Sequence, residues 1–204
     1  MSTATERAER ARVNKFDVRR RELAEAALVA IAEHGFAKTG LRDISARTEL
    51  STGILHYYFE GKDDLIAQAI WQYKSECARR YDPIVETSQT AEELVARFGV
   101  EISAAAGALK DMQRPWSDLR KQARSDHGLR DTTVPIDELL TEMVWAVVKR
   151  HAELLGRSVT IDRDTTYALF DGIFLNCLIG YMRGDLAALE QIRTRSANLL
   201  AASV

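Results

Sequence analysis

Between Ser51 and Lys62 the sequence reads STGILHYYFEGK. Two hydroxyls, a glycine, an imidazole, two phenols and an ammonium follow one another, with aliphatic residues and a phenylalanine between them. Groups of this kind donate hydrogen bonds to anionic oxygens and to the edges of bases; they are not spaced for bond making or breaking. Adjacent residues on a helix point about 100° apart, so Tyr57 and Tyr58 cannot both belong to a core. Thr52 and Gly53 are small enough to let a partner approach the backbone closely. Tyr57 can reach a base edge or a thymine methyl. Ser51, His56, Tyr58 and Lys62 can donate to phosphate oxygens, and the start of a helix offers free amides to the same anions. Leu50, Leu55 and Phe59 are left to anchor the element.

No competing chemistry emerges. His34, His56, His127 and His151 are scattered, without Ser-His-Asp, Cys-His or metal-ligand spacing, and no glycine-rich phosphate loop is present. Cys77 and Cys177 form neither a disulfide framework nor a metal site and suit a reducing cytosol. We therefore expect no catalytic residues, no metal and no cofactor, and a small helical enzyme is the weaker reading.

The elements that must position this cluster follow from periodicity. From Phe16 to His34, Leu23, Ala26, Ala27, Ala30 and Ile31 recur at helical spacing, and Gly35 stops the helix. Thr39 suits the N-cap of the next piece, LRDISART, whose Leu41, Ile44 and Ser45 face inward. TEL makes a turn, Ser51 caps TGILHYY, EGK breaks it, and a long helix runs from Asp63 to about Arg80. One long helix and two short ones joined by a tight turn are the helix-turn-helix pattern, whose second short helix enters the major groove of duplex DNA.

The stretch TGLRDISARTELSTGILHYYFEGKDDLI resembles the DNA-binding domain of the TetR family of transcriptional regulators, and its wording is most similar to the BetI-like branch. Thr39, Arg42, Asp43, Ile44, Leu50 and Ser51 fit the family pattern in register, as do Gly53, Leu55, Tyr58, Phe59, Lys62 and Leu65; the likeness covers about residues 19–70. Glu49 replaces the usual turn glycine, Ser45 the usual alanine and His56 a common tyrosine. The resemblance implies base contacts by Arg42, Thr52, Gly53, Ile54 and Tyr57. It implies backbone contacts by Thr39, Ser51, His56, Tyr58 and Lys62.

The chain has 204 residues, 46% of them hydrophobic and 28% charged, the balance of an ordinary globular protein. Its net charge of −2 hides an asymmetry. Residues 1–21 carry seven basic and three acidic side chains, whereas residues 81–204 carry 14 basic and 18 acidic. A basic end on an acidic body suggests an anionic partner at that end. Residues 1–14 read as a frayed basic arm, with no apolar leader segment. The longest apolar run, residues 167–182, contains Asp171 and Asn176 and is too short and polar for a membrane span, so a cytoplasmic protein is expected.

Beyond residue 90 the pattern is helical throughout: TAEELVARFGVEISAAAGAL behind a Thr90–Glu93 capping box, then RPWSDLRKQARSD with Pro115 in a first turn. SDHGLR reads as a loop. A helix from Ile136 ends at Gly156, another ends at Gly184, and DLAALEQIRTRSANLLAA closes the chain. Residues 165–182 are apolar nearly all round, which predicts burial on all sides, in the centre or against a partner subunit. The expected fold is all-α, with a helix-turn-helix domain over residues 1–62 and a helical effector-binding and dimerisation domain over 63–204. By resemblance the last two long helices form a four-helix dimer bundle, here through Leu178, Tyr181, Leu186, Leu189 and Ile192. Resemblance also implies an effector pocket among the bulky side chains of this domain: Phe98, Ile102, Met112, Trp116 and Trp145, with Tyr167, Phe170, Phe174 and Cys177, and Asn176 as its polar group. The function implied is a homodimeric repressor, released from a pseudo-palindromic DNA operator by a small, largely apolar effector. A DNA-binding regulator without a small-molecule ligand is the alternative.

Overall fold

The computed structural model describes the backbone of residues 4–35, 39–48, 51–108 and 110–204, and the side chains of 15–35, 39–46, 51–107 and 115–204. Glu49 and Leu50, the side chain of Met112, and those of Arg7, Arg10 and Arg12 lie outside the described residues. All regular structure among the described residues is helix: α1 (Ala4–His34), α2 (Leu41–Thr48), α3 (Thr52–Tyr58), α4 (Lys62–Arg79), α5 (Asp82–Thr87), α6 (Ala91–Ala108), α7 (Lys110–Gln122), α8 (His127–Leu155), α9 (Arg163–Met182) and α10 (Ala188–Ala202). The chain divides into two compact units, residues 1–73 with 114–133, and residues 74–113 with 134–204. The division falls inside α4 rather than at the expected 62/63 boundary, and the first unit recruits the end of α7 and the start of α8.

In the first unit α1 buries Leu23, Ala24, Ala27, Leu28 and Ile31, one stripe at helical spacing. The helix begins at Ala4, where a frayed arm was expected. It ends at Gly35, whose φ of +83° suits a residue without Cβ and whose N–H donates to Ile31 O at 2.7 Å. Thr39 does not cap α2. Its hydroxyl turns back to the carbonyls of Gly35 at 2.9 Å and Ala30 at 3.2 Å, and α2 is capped from inside, by Asp43 accepting the Gly40 N–H at 2.7 Å. Ile44 from α2 and Leu55 from α3 reach the same core.

The α3–α4 junction is held by Asp64. It accepts the Glu60 N–H at 3.0 Å and pairs with Arg20 of α1 at 3.2 Å, while the Arg20 guanidinium lies 4.8 Å from the Phe59 ring centroid. The pair is partly exposed, so its charge contributes up to about 1 kcal/mol; its geometric role is to fix α3 against α1.

In the second unit the capping box forms at the start of α6. The Glu93 N–H donates to Thr90 Oγ1 at 3.1 Å, and the Glu93 carboxylate accepts the Gln89 N–H at 2.9 Å. Leu94, Phe98 and Ile102 of α6 meet Val144, Val147 and Val148 of α8, Phe170 and Cys177 of α9, and Ile192 and Leu200 of α10 in one core. α10 packs on α6 and α9. Gly156 (φ +62°) and Gly184 (φ +94°) end α8 and α9 as their positions suggested.

Two boundaries differ from expectation. α8 starts at His127, because Asp126 Oδ1 accepts the N–H groups of Gly128 at 2.9 Å and Leu129 at 3.3 Å and caps a helix where SDHGLR reads as a loop. α7 starts at Lys110, which places Pro115 inside it rather than in its first turn. α9 is not buried all round within the chain. Thr166, Phe170, Cys177 and Leu178 face the core, whereas Leu169, Leu175, Ile179 and Met182 are exposed.

Candidate nucleic-acid interface

α3 is two turns long and divides its residues sharply. Leu55, and Phe59 at its C-cap, are buried; Phe59 is extended (φ −138°, ψ 141°) and its N–H closes on Leu55 O at 3.0 Å. Ile54 and Tyr57 are exposed, Tyr57 at 66% of its surface, and Ser51, Gly53 and His56 are exposed beside them. Thr52, Tyr58 and Lys62 are half-buried. Ser51 stands at the N-cap in extended conformation, with no cap hydrogen bond from its side chain. Arg42 is exposed on α2, and Ser45, the residue that replaces the usual alanine, turns its hydroxyl onto Arg42 O at 2.9 Å.

Gly53 is open. Among the described residues, a Cβ placed on it would find only Ser51 Oγ, at 3.8 Å, an ordinary contact. The described packing therefore does not require glycine there.

Thr39, expected at a phosphate, is 1% exposed and its hydroxyl is committed to the end of α1. Its sequence signature, a hydroxyl before a short helix, is the same in either role.

Residues 56–60, with Asp63 and Asp64, line an open cleft of about 690 Å³ together with Asp126, Gly128, Leu129 and Thr132. Glu60, Asp63, Asp64 and Asp126 line it against the single guanidinium of Arg20. The charge there has the wrong sign for phosphate.

The residues expected around an effector separate in the structure. Trp116 belongs to the first unit, where the Arg120 guanidinium lies 5.5 Å from its ring centroid. Phe98, Ile102, Phe170 and Cys177 are core of the second unit; Phe98 and Phe170 meet edge to face at 5.7 Å, and Cys177 Sγ accepts from Arg195 at 3.7 Å. Trp145, Tyr167 and Phe174 are half-buried against that core, and the Tyr167 hydroxyl donates to Asp137 at 3.0 Å. Asn176 does not enter it. It is exposed, and its amide donates to Gly172 O one turn earlier at 2.7 Å. The buried polar atoms without a hydrogen-bond partner in this unit include His151 Nδ1 and Ser196 Oγ, which sequence reasoning missed because a lone polar residue on a helix carries no sign of which way it faces. Burial holds His151 below its ordinary pKa; Glu92 opposes that shift and Arg157 adds to it.

The expected dimer residues separate as well. Ile192 (0% exposed) and Leu178 are spent in the chain's own core, and Tyr181 and Leu189 are half-buried against it. Leu186 alone of the five stands out, 75% exposed; Leu169, Leu175, Ile179 and Met182 of α9 are exposed as well.

Residues 23–69 match the family described as "Bacterial regulatory proteins, tetR family". Over 172 residues, 84% of this chain and 85% of the relative, the sequence is 23% identical to the HTH-type transcriptional regulator BetI of Brucella canis. Among solved structures, a TetR transcription regulator from Haloarcula marismortui aligns with a TM-score of 0.75 at 21% identity, over 92% of this chain and 98% of that one. The transcriptional regulator FadR from Bacillus subtilis, solved in complex with stearoyl-CoA, aligns with a TM-score of 0.71 at 18% identity, over 89% of this chain and 97% of that one.

Proposed function

We propose that this chain is a transcriptional regulator of the TetR family, a homodimeric repressor that reads a pseudo-palindromic DNA operator with α3 and leaves it when a small, largely apolar effector binds. The observation that carries the reading is the division of α3. Its packing rests on Leu55 and Phe59, while Gly53, Ile54, His56 and Tyr57 are held outward with no packing reason for a glycine among them. A glycine inside a helix costs roughly 0.5–1 kcal/mol relative to alanine. Where the protein itself has room for a methyl group, a close-approaching partner such as a groove wall is what requires its absence. Arg42, Ser51, Thr52, Tyr58 and Lys62 then serve as flanking contacts. The acidic cleft favours phosphate contacts at the Ser51 end of α3 over the Glu60 end. DNA of the chromosome places the protein in the cytoplasm.

Exposed side chains of α9 support dimerisation: Leu169, Leu175, Ile179 and Met182 are aliphatic groups that an isologous contact with a second copy would bury. Two copies would set two α3 helices on half-sites about one helical turn apart.

For the effector, the complex of the similar FadR with stearoyl-CoA supports an apolar ligand in the helical second unit. The half-buried ring set Trp145, Tyr167 and Phe174 is where it would enter, and α4, which has residues in both units, would carry the change. The coupling needed is modest, about 1–3 kcal/mol.

The test is selection of duplexes from a random pool, followed by affinity measurement at several salt concentrations. A preferred palindrome whose binding weakens steeply with salt is expected, because phosphate contacts release counterions. Equal binding to all duplexes would refute the reading. Acyl chains of increasing length, titrated against the bound complex, then test release.

A further inference from the structure

Phe16 of α1 lies far from α3 in sequence and touches both of its tyrosines. Its ring centroid is 5.8 Å from that of Tyr57, edge-on at 72°, and 4.9 Å from that of Tyr58. The tyrosine rings meet each other at 5.0 Å and 90°. Tyr57 is thus mostly exposed, yet bounded by two rings. An exposed aromatic side chain on a helix ordinarily has two χ1 wells open to it. Edge-to-face contacts on two sides select one of them, since such pairs favour a defined centroid distance and angle.

We propose that Phe16 is a positioning residue for base recognition: together with Tyr58 it holds the Tyr57 ring in the orientation that enters the groove. The proposal rests on the reading of Tyr57 as the base-contacting side chain. A pre-set ring does not have to be ordered when DNA binds, so the cost of fixing its rotamer is removed from the complex. The Tyr57 hydroxyl or ring edge then meets one base step and not its neighbours, which makes the effect of Phe16 a matter of discrimination more than of bulk affinity. Phe16 itself is half-buried and uncharged; Lys15, Asp17, Arg19 and Arg20 are the charged groups near it on α1.

The experiment uses the duplex that the wild-type protein selects and the same duplex altered at one base pair at a time. Dissociation constants are measured for the wild type, Phe16→Ala, Phe16→Leu, Phe16→Tyr, Tyr57→Ala and the Phe16→Ala/Tyr57→Ala double variant. Phe16→Ala and Phe16→Leu are expected to lose roughly two- to tenfold in discrimination, the worth of one aromatic pair, at the base pair where Tyr57→Ala loses it and nowhere else. Phe16→Tyr should keep the discrimination, the double variant should be no worse than Tyr57→Ala, and the salt dependence should be that of the wild type. Leucine retains apolar bulk at this site, so Phe16→Leu and Phe16→Tyr decide the question if the alanine variant does not fold. If Tyr57→Ala shifts discrimination but Phe16→Leu weakens every duplex alike, or adds its effect fully in the Tyr57→Ala background, Phe16 is only a packing residue and the proposal is wrong. If Tyr57→Ala changes no base preference at all, the reading of α3 fails first and the role of Phe16 goes with it.

Discussion

α3 and α9 both hold bulky side chains in solvent, and they do so in opposite ways. On α3 the exposed set is mixed: Ile54 and Tyr57 stand among Ser51, Gly53 and His56, so that apolar edges alternate with hydrogen-bonding groups. Beyond its first turn, α9 exposes an aliphatic set, Leu169, Leu175, Ile179 and Met182, with Asn176 tied to its own backbone. A wet, polar surface such as a DNA groove calls for the first kind of face. A surface to be dried by a matching apolar one calls for the second. The two helices teach that exposure alone does not name a partner; the alternation of group types along the exposed row does.

The comparison is broken most severely from the inside. Ile192→Glu buries a charge in the chain's own core and is expected to cost about 3–5 kcal/mol. Urea denaturation should show loss of the fold rather than folded monomers. Ile179→Glu, on the outward row of α9, should leave each protomer helical while light scattering at micromolar concentration shifts from dimer to monomer, an effect of about 2 kcal/mol or more if the position is central to the contact. Folded monomers from Ile192→Glu together with an unchanged dimer from Ile179→Glu would reverse the assignment of the two faces.

On the α3 side, Tyr57→Ala should remove about 1–3 kcal/mol of discrimination at one base position and lower the melting temperature only slightly, since the side chain is mostly exposed and gives up only its ring contacts with Phe16 and Tyr58. Thr39→Ala should do the reverse. It deletes a buried hydroxyl bonded to the end of α1, costing about 1 kcal/mol of stability, with the salt slope of DNA binding unaltered. A smaller slope would return Thr39 to the phosphate contacts. The smallest effect is expected at Gly53→Ala, which should stabilise the free protein by about 0.4–1 kcal/mol in thermal unfolding and weaken its hold on the selected duplex. Stabilisation without weaker binding would mean that no partner comes close at this point.

Local signals were legible where one residue carries them. The positive-φ glycines at 35, 156 and 184 and the Thr90–Glu93 box each depend on a residue type whose backbone or capping preference is strong. The start of α8 was hidden because an aspartate before a glycine suits a loop and an N-cap equally, and only the hydrogen bonds from Gly128 and Leu129 decide. The direction of the outer side chains of α9 was hidden for another reason. A periodic apolar helix has the same pattern whether its second face meets its own chain or another copy, so Ile192 and Leu178 could not be told from Ile179 and Leu175. At the candidate interface, the motif brought Tyr57 and Gly53 to notice, but Phe16 is separated from them by most of two helices, and no local pattern connects them.

The split within α3 also bears on how such a protein changes over generations. Leu55 and Phe59 are buried and hold the helix in place, whereas Ile54 and His56 are exposed. If α3 is the reading helix, as proposed, substitutions at the first pair are filtered by whether the chain folds, and those at the second mainly by which DNA it prefers. A duplicated copy can therefore acquire a new target through a few exchanges at the outward positions while its scaffold stays under purifying selection, and a library randomised at positions 54 and 56 should yield folded variants at high frequency, with altered targets among them.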